Sequence, residues 1–186
     1  MPALDNDASP VSMLVAGGAG LLLGLLANPA RKLAVQAPTM LKGSWDEALA
    51  AEHKATLAVI DLIEKTSTDN TARRSMHLAQ LKHMIAKHSF EEENTVYAMM
   101  RERGLLEAAQ DLNEDHGVVK QLLFDLTRMP KDDARWIDTV RTLRGALEEH
   151  MNEEENEHFP KLRAALSEQE NSDLAAAMNK EGLKVA

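Results

Sequence analysis

Four histidines and two glutamates recur in this chain at spacings that suit a metal centre. Residues 88–97 read HSFEEENTVY and residues 150–159 read HMNEEENEHF. Each segment opens on His, carries Glu-Glu-Glu-Asn from its fourth place and closes on an aromatic residue. An earlier pair also matches: Glu52-His53 and Asp115-His116 are each followed by an apolar stretch and an Asp, Asp61 and Asp125. His53 to His116 is 63 residues and His88 to His150 is 62, so the chain reads as a duplicated helical hairpin. On an α-helix, residues four apart lie ~40° apart around the axis and ~6 Å along it. His88 therefore shares a face with Glu92, and His150 with Glu154. Two hairpins related by a pseudo-twofold axis would bring His53, His88, Glu92, His116, His150 and Glu154 to one level of a core.

Four imidazoles and two carboxylates buried together are costly unless something compensates them, and bound cations do so. Two ions fit this inventory better than one, because it is symmetric and its carboxylates can bridge. The chain has no cysteine. That excludes disulfides, iron–sulfur clusters and thiolate zinc sites, and leaves nitrogen and oxygen ligands. Imidazole with carboxylate suits iron, manganese or zinc. If both glutamates bridge, the six residues supply about eight bonds to two octahedral ions, and a solvent bridge about two more. Roughly two places then remain for water, oxygen, peroxide or nitric oxide.

Such a constellation needs long helices to hold it, and the composition supplies them. Of 186 residues, 44% are hydrophobic and only 3% aromatic, while good helix formers dominate. No strand alternation or Asn-Gly hairpin turn occurs. The first helix is predicted from a Ser44/Glu47 capping box to about Lys65, and the second from the turn 67–70 to about Arg103, with Gly104 as its terminating glycine. The third runs from about Leu105 or Glu107 to Arg128, stopped by Met129-Pro130. The fourth opens near Asp132-Asp133 and reaches at least Glu157; a short terminal helix, opened by Ser167 and Glu170, ends near Asn179-Lys180. Short connections make consecutive helices antiparallel. The expectation is an all-α, up-down-up-down antiparallel four-helix bundle over residues 44–165. An apolar, Gly-rich helix lies within 1–43, and 166–186 forms the short C-terminal helix and tail.

The run from Met13 to Ala27 is wholly apolar and contains the pair Gly20 and Gly24. It lacks the basic start of a secretory signal and is short of the ~20 residues of a membrane span. The favoured reading is a helix packed on the bundle or on a second copy as a homodimer contact, in a cytoplasmic protein; membrane contact is the weaker alternative. A net charge of −9 argues against nucleic acid as a partner. No nucleophile elbow, phosphate-cradling loop or dinucleotide fingerprint is present.

Around His53, His88-x-x-x-Glu92, His116 and His150-x-x-x-Glu154, with Phe159-Pro160 behind them, the chain resembles the hemerythrin-like (HHE cation-binding) family over about residues 44–165. The resemblance implies an antiparallel four-helix bundle around two iron ions in an oxo- or hydroxo-bridged non-haem di-iron centre. It makes the positions of Glu92 and Glu154 the bridges and the histidines terminal ligands. Two departures bear on function. Oxygen carriers of the family have a second His one turn after the third-helix ligand, where this chain has Lys120. They also end the fourth-helix motif on Asp one place later, where Glu154 or Glu155 stands here. That disfavours simple oxygen transport and favours relatives that sense oxygen, handle peroxide (in a catalase-like way) or nitric oxide, or bind iron. A non-catalytic iron-binding or oxygen-sensing module is the rival, and a metal-free bundle whose histidines are structural is the plain one.

Other side chains carry weaker expectations. His77 reads as partly exposed or hydrogen-bonded, His83 as facing solvent or a neighbouring helix, and His158 as a secondary candidate for the site. Tyr97 stands where Phe159 does in the repeat, so it reads as core, with a hydroxyl able to reach the centre. One glutamate of each run 91–93 and 153–155 should point inward, and the others should form solvated faces, paired with Lys or Arg. Leu57, Ile60, Met84, Leu123 and Met151 are expected to form the apolar surroundings.

Overall fold

The first hairpin pairs α1 (Trp45–Glu64) with α2 (Thr71–Glu91), and the second pairs α4 (Leu106–Arg128) with α5 (Ala134–Glu153). In this computed structural model the described residues are Arg31, Lys32, Gln36, Leu41 and 43–186. The apolar run 13–27, with the dimer and membrane readings attached to it, lies outside them. Both hairpins continue past their second helix. A π-helical turn, Glu92–Val96, leads from α2 into α3 (Tyr97–Glu102), and another, Glu154–His158, leads from α5 into α6 (Phe159–Ala165). The C-terminal helix α7 spans Glu168–Val185.

Local chemistry sets the boundaries. Asn70 accepts the Arg73 N–H at 3.2 Å and Asp133 accepts the Arg135 N–H at 2.9 Å, which satisfies donors that a helix start leaves unpaired. Gly104, at φ +79°, turns the chain out of α3 where a Cβ would be strained. Ser167 and Glu170 form the expected reciprocal capping box. The box expected at Ser44 does not form: Ser44 is the N-cap, but its side chain makes no capping bond. The C-terminal helix is also longer than expected, at 18 residues. Leu174, Met178 and Gly182, four apart, lay one buried stripe along it and carry it past Lys180.

Helix α1 packs on α2 and α5, α4 packs on α5 and α2, and α7 lies against α1, α2 and the first π-turn. This is the four-helix bundle with an added helix, all-helical among the described residues. Its apolar core falls into two clusters. One holds Val59, Ile63, Leu81 and Leu143 around Trp136; the other holds Leu49, Met100, Leu112 and Leu162 around Trp45, Tyr97 and Phe159. On each long helix a histidine sits between them: His53 between Leu49 and Val59, His88 between Ile85 and Val96, His116 between Leu112 and Val119, His150 between Leu147 and Phe159. A polar layer thus crosses the bundle with a sealed apolar plug on either side. Trp136 is fully buried, its indole N–H donates to the Leu126 carbonyl at 3.1 Å, and the Arg74 guanidinium covers the ring at 5.0 Å. Trp136→Ala is expected to cost about 3–5 kcal/mol of unfolding free energy, measured by urea denaturation. Among the described residues no helix is long and apolar enough to cross a membrane.

Candidate metal centre

All six residues named from the sequence are buried and reach the polar layer. Two groups of potential ligand atoms form there, each within 4.8 Å of one another: His53, His88, Glu92 and Glu154, and Glu92, His116 and His150. Glu92 belongs to both. Its oxygens lie 3.1 Å from His88 Nε2 and 3.4 Å from His116 Nε2. Glu154 Oε2 lies 3.3 Å from His53 Nε2 and 3.4 Å from His150 Nε2, so it too sits between the hairpins.

The opposite edge of every imidazole is held by a carboxylate. His53 Nδ1 donates to Glu155 at 2.7 Å and His116 Nδ1 to Glu93 at 2.9 Å. His88 Nδ1 donates to Glu52 at 3.1 Å and His150 Nδ1 to Asp115 at 3.3 Å. A proton fixed on Nδ1 leaves the Nε2 lone pair of the neutral ring pointing inward. His53 Nε2 and His88 Nε2 then face each other at 2.9 Å with no hydrogen between them in that tautomer. Both oxygens of Glu92, Oε2 of Glu154 and Nε2 of His150 are buried without a hydrogen-bond partner among the described residues. The middle of the layer is therefore lined by converging acceptors that a bound cation would satisfy, and the donor set fits a metal.

The electrostatics carry the same message with protons in place of metal. Burial opposes charging His116, but Glu92 and Glu93 outweigh it and raise its pKa to about 9. Burial likewise opposes charge on His88 and His53, and their carboxylate neighbours raise both. Burial would raise Glu92, yet His88 and His116 hold it well below the usual carboxylate range. The hydrogen bond from His116 draws Glu93 down to about 2, with Lys120 assisting.

The side chains around the six meet expectation in part. The outer glutamates are not merely solvated: Glu93 and Glu155 orient ligand-type histidines, and Glu91 is fully buried beside Lys87. Lys120 braces Glu93 at 2.7 Å from the exposed side and so supports His116 indirectly. Tyr97 reaches the centre, donating its hydroxyl to Glu154 Oε1 at 2.7 Å. On an uninterrupted α-helix it would lie about 140° away from Glu92. The π-turn, whose closing bond runs from the Tyr97 N–H to the Glu92 carbonyl, stacks residues five apart and turns Tyr97 inward. Phe159 N–H bonds the Glu154 carbonyl in the same way. His158 is half-buried and belongs to neither ligand group, His83 is exposed, and His77 is buried with its Nδ1 unpartnered among the described residues. The orienting carboxylates had one signal in the sequence, since the repeat places Glu52 against Asp115 and Glu93 against Glu155.

Beside the imidazoles lies a cavity of ≈ 10 Å³, lined by Thr56, Ile85, Ser89, Val119, Leu147 and Met151 along with His88, His116 and His150. Of the residues expected to form the apolar surroundings, Met151 is the one that lines it.

The chain is 28% identical over 138 residues to an uncharacterized hemerythrin-like protein of Schizosaccharomyces pombe, covering 72% of this chain and 66% of that one. It thus spans just under two thirds of that relative's length. No solved structure matches it closely enough to count. The hemerythrin HHE cation binding domain matches residues 46–162, the whole stretch that carries the six candidate ligands, and the chain belongs to that family.

Proposed function

We propose that this protein holds two iron ions between its hairpins and uses them to bind or react with oxygen, peroxide or nitric oxide. Glu92 and Glu154 would bridge, with His53 and His88 ending one side and His116 and His150 the other. The observation that carries this reading is the convergence of buried acceptors without donors, above all the two oxygens of Glu92. Iron at that place supplies redox chemistry and open coordination positions. The chain's own residues do the rest. Four carboxylates fix the imidazole orientations, and Tyr97 holds a proton at Glu154 Oε1. Ile85, Val119, Leu147 and Met151 give an apolar wall to a cavity with room for about one water-sized molecule. So small a space favours diatomic molecules or peroxide over organic substrates.

The test is to load the protein with iron, record its visible spectrum, and follow hydrogen peroxide consumption and oxygen or nitric oxide binding. Two irons per chain, with an oxo-bridge charge-transfer band and turnover that Glu92→Ala abolishes, are expected for an enzyme. Reversible binding without turnover favours the second reading, a non-catalytic oxygen-sensing or iron-binding module. Failure to take up iron while the bundle stays folded would sink both.

A further inference from the structure

The repeat is symmetric in its six inward side chains but not in what stands behind them. Behind His88, the Glu52 carboxylate is largely buried, its side chain 17% exposed, and Lys87 Nζ anchors it at 2.6 Å. Lys87 is itself buried, and it donates at 2.8 and 3.0 Å to the fully buried Glu91. Glu91 in turn accepts from Gln36 Nε2 at 2.8 Å, and the same amide donates to Asn179 of α7 at 3.1 Å. Helix α7 lies so close that a Cβ at Gly182 would overlap the Glu91 carboxylate. Behind His150 no such buried chain forms among the described residues, and the lysine of that half, Lys120, braces Glu93 only from the exposed side. Asp115, behind His150, is 44% exposed and 3.3 Å away, and the repeat places an exposed Glu149 where Lys87 stands.

The inner side chains are unequal as well. On the His53/His88 side, ligand atoms from four residues already converge, against three on the His116/His150 side. Tyr97 engages Glu154 Oε1 and stands 3.3 Å from His116 Nε2, so that oxygen is occupied on the second side. A position with more converged donors and a better-anchored outer carboxylate loses less freedom when an ion arrives, and so binds it more tightly.

We propose that the two metal positions fill in order, the one between His53 and His88 first, and that Lys87, clamped with Glu91 under α7, is the positioning residue that sets this order. The inference rests on the two-metal reading and deepens it. The C-terminal helix lies beyond the part of the chain that matches the family, and it is joined to one metal position by hydrogen-bonded side chains: Asn179, Gln36, Glu91, Lys87, Glu52 and His88. Under this arrangement a half-loaded protein is a defined species with its ion on the α1/α2 side.

The test is a titration of the metal-free full-length chain with cobalt(II), followed by calorimetry and visible absorption, with circular dichroism confirming the fold of each variant. Two steps are expected, separated by at least roughly tenfold in affinity. Glu52→Gln, nearly isosteric, should weaken the first step by about 10–100-fold, the usual effect of losing an outer hydrogen-bond partner, and Asp115→Asn should act on the second. Lys87→Met should weaken the first step by roughly tenfold and narrow the gap, with the cobalt spectrum of the first-bound ion changed. Two ions of equal affinity, or a first step weakened by Asp115→Asn and indifferent to Glu52→Gln and Lys87→Met, would overturn the order while leaving the two-metal reading intact. Saturation at one ion per chain would overturn both.

Discussion

Glu92→Ala is expected to leave the bundle folded and to abolish retention of both metal ions. Glu92 is the one carboxylate shared by both groups of convergent ligand atoms, and neither of its oxygens has another partner among the described residues. Removing it strips a donor from each position at once. The loss in affinity should exceed the roughly 10–100-fold that an outer partner costs. Metal content after gel filtration is the direct measurement, and thermal melts with and without chelator make the energetic case. An ion that binds only the folded chain stabilises it by about 4 kcal/mol at a thousandfold excess over Kd. For a chain of this size that is roughly 8–16 °C in Tm, at about 2–4 °C per kcal/mol. The unsubstituted protein should show that rise, and Glu92→Ala should melt at the same temperature in either buffer. An equal metal-dependent rise in both proteins would mean that the ions sit elsewhere.

Metal-free protein should lose stability between about pH 7 and 9, and metal-loaded protein should not. In the metal-free chain His116 is raised from 6.5 to about 9, with burial opposed and outweighed by Glu92 and Glu93. A folded-state pKa above the unfolded one contributes stability that is complete below pH 6.5 and is lost as pH rises through about 9. Glu91, raised by burial and by the neighbouring Glu52 to about 7, acts in the same direction at lower pH, so its contribution is mostly spent where this window opens. Metal binding reverses the sign for the centre, because each imidazolium must give up its proton to become a ligand. Affinity should rise roughly tenfold per pH unit for each proton displaced. Tm should therefore fall with pH in chelator and hold or rise with pH at fixed metal concentration. Parallel profiles would show that protons and metal do not compete for these side chains.

The reach of sequence reading here follows from which interactions are local. Helix spacing places His88 over Glu92 and His150 over Glu154, and the duplicated motif ties them to His53 and His116; the structure brings all six to one buried layer. Gly104, Met129-Pro130 and Ser167 mark helix ends because their preferences act within a turn of chain. The glutamate runs were harder. Glu91, Glu93 and Glu155 look alike on a helical projection, and their roles depend on Lys87, His116 and His53, the last two on other helices.

What the sequence by itself determined is the all-helical hairpin repeat and the identity of the six inward side chains, because both are periodic within single helices. The tertiary structure alone decided three things. It set the π-turns that begin at Glu92 and Glu154 and swing Tyr97 onto the centre, since a one-residue shift in hydrogen-bond register leaves no mark in composition. It chose the carboxylate behind each imidazole, since in every case that partner comes from a different helix or π-turn. It also laid α7 over Glu91 and Lys87, a contact between residues about 90 apart in the chain that makes the two halves of a duplicated site unequal.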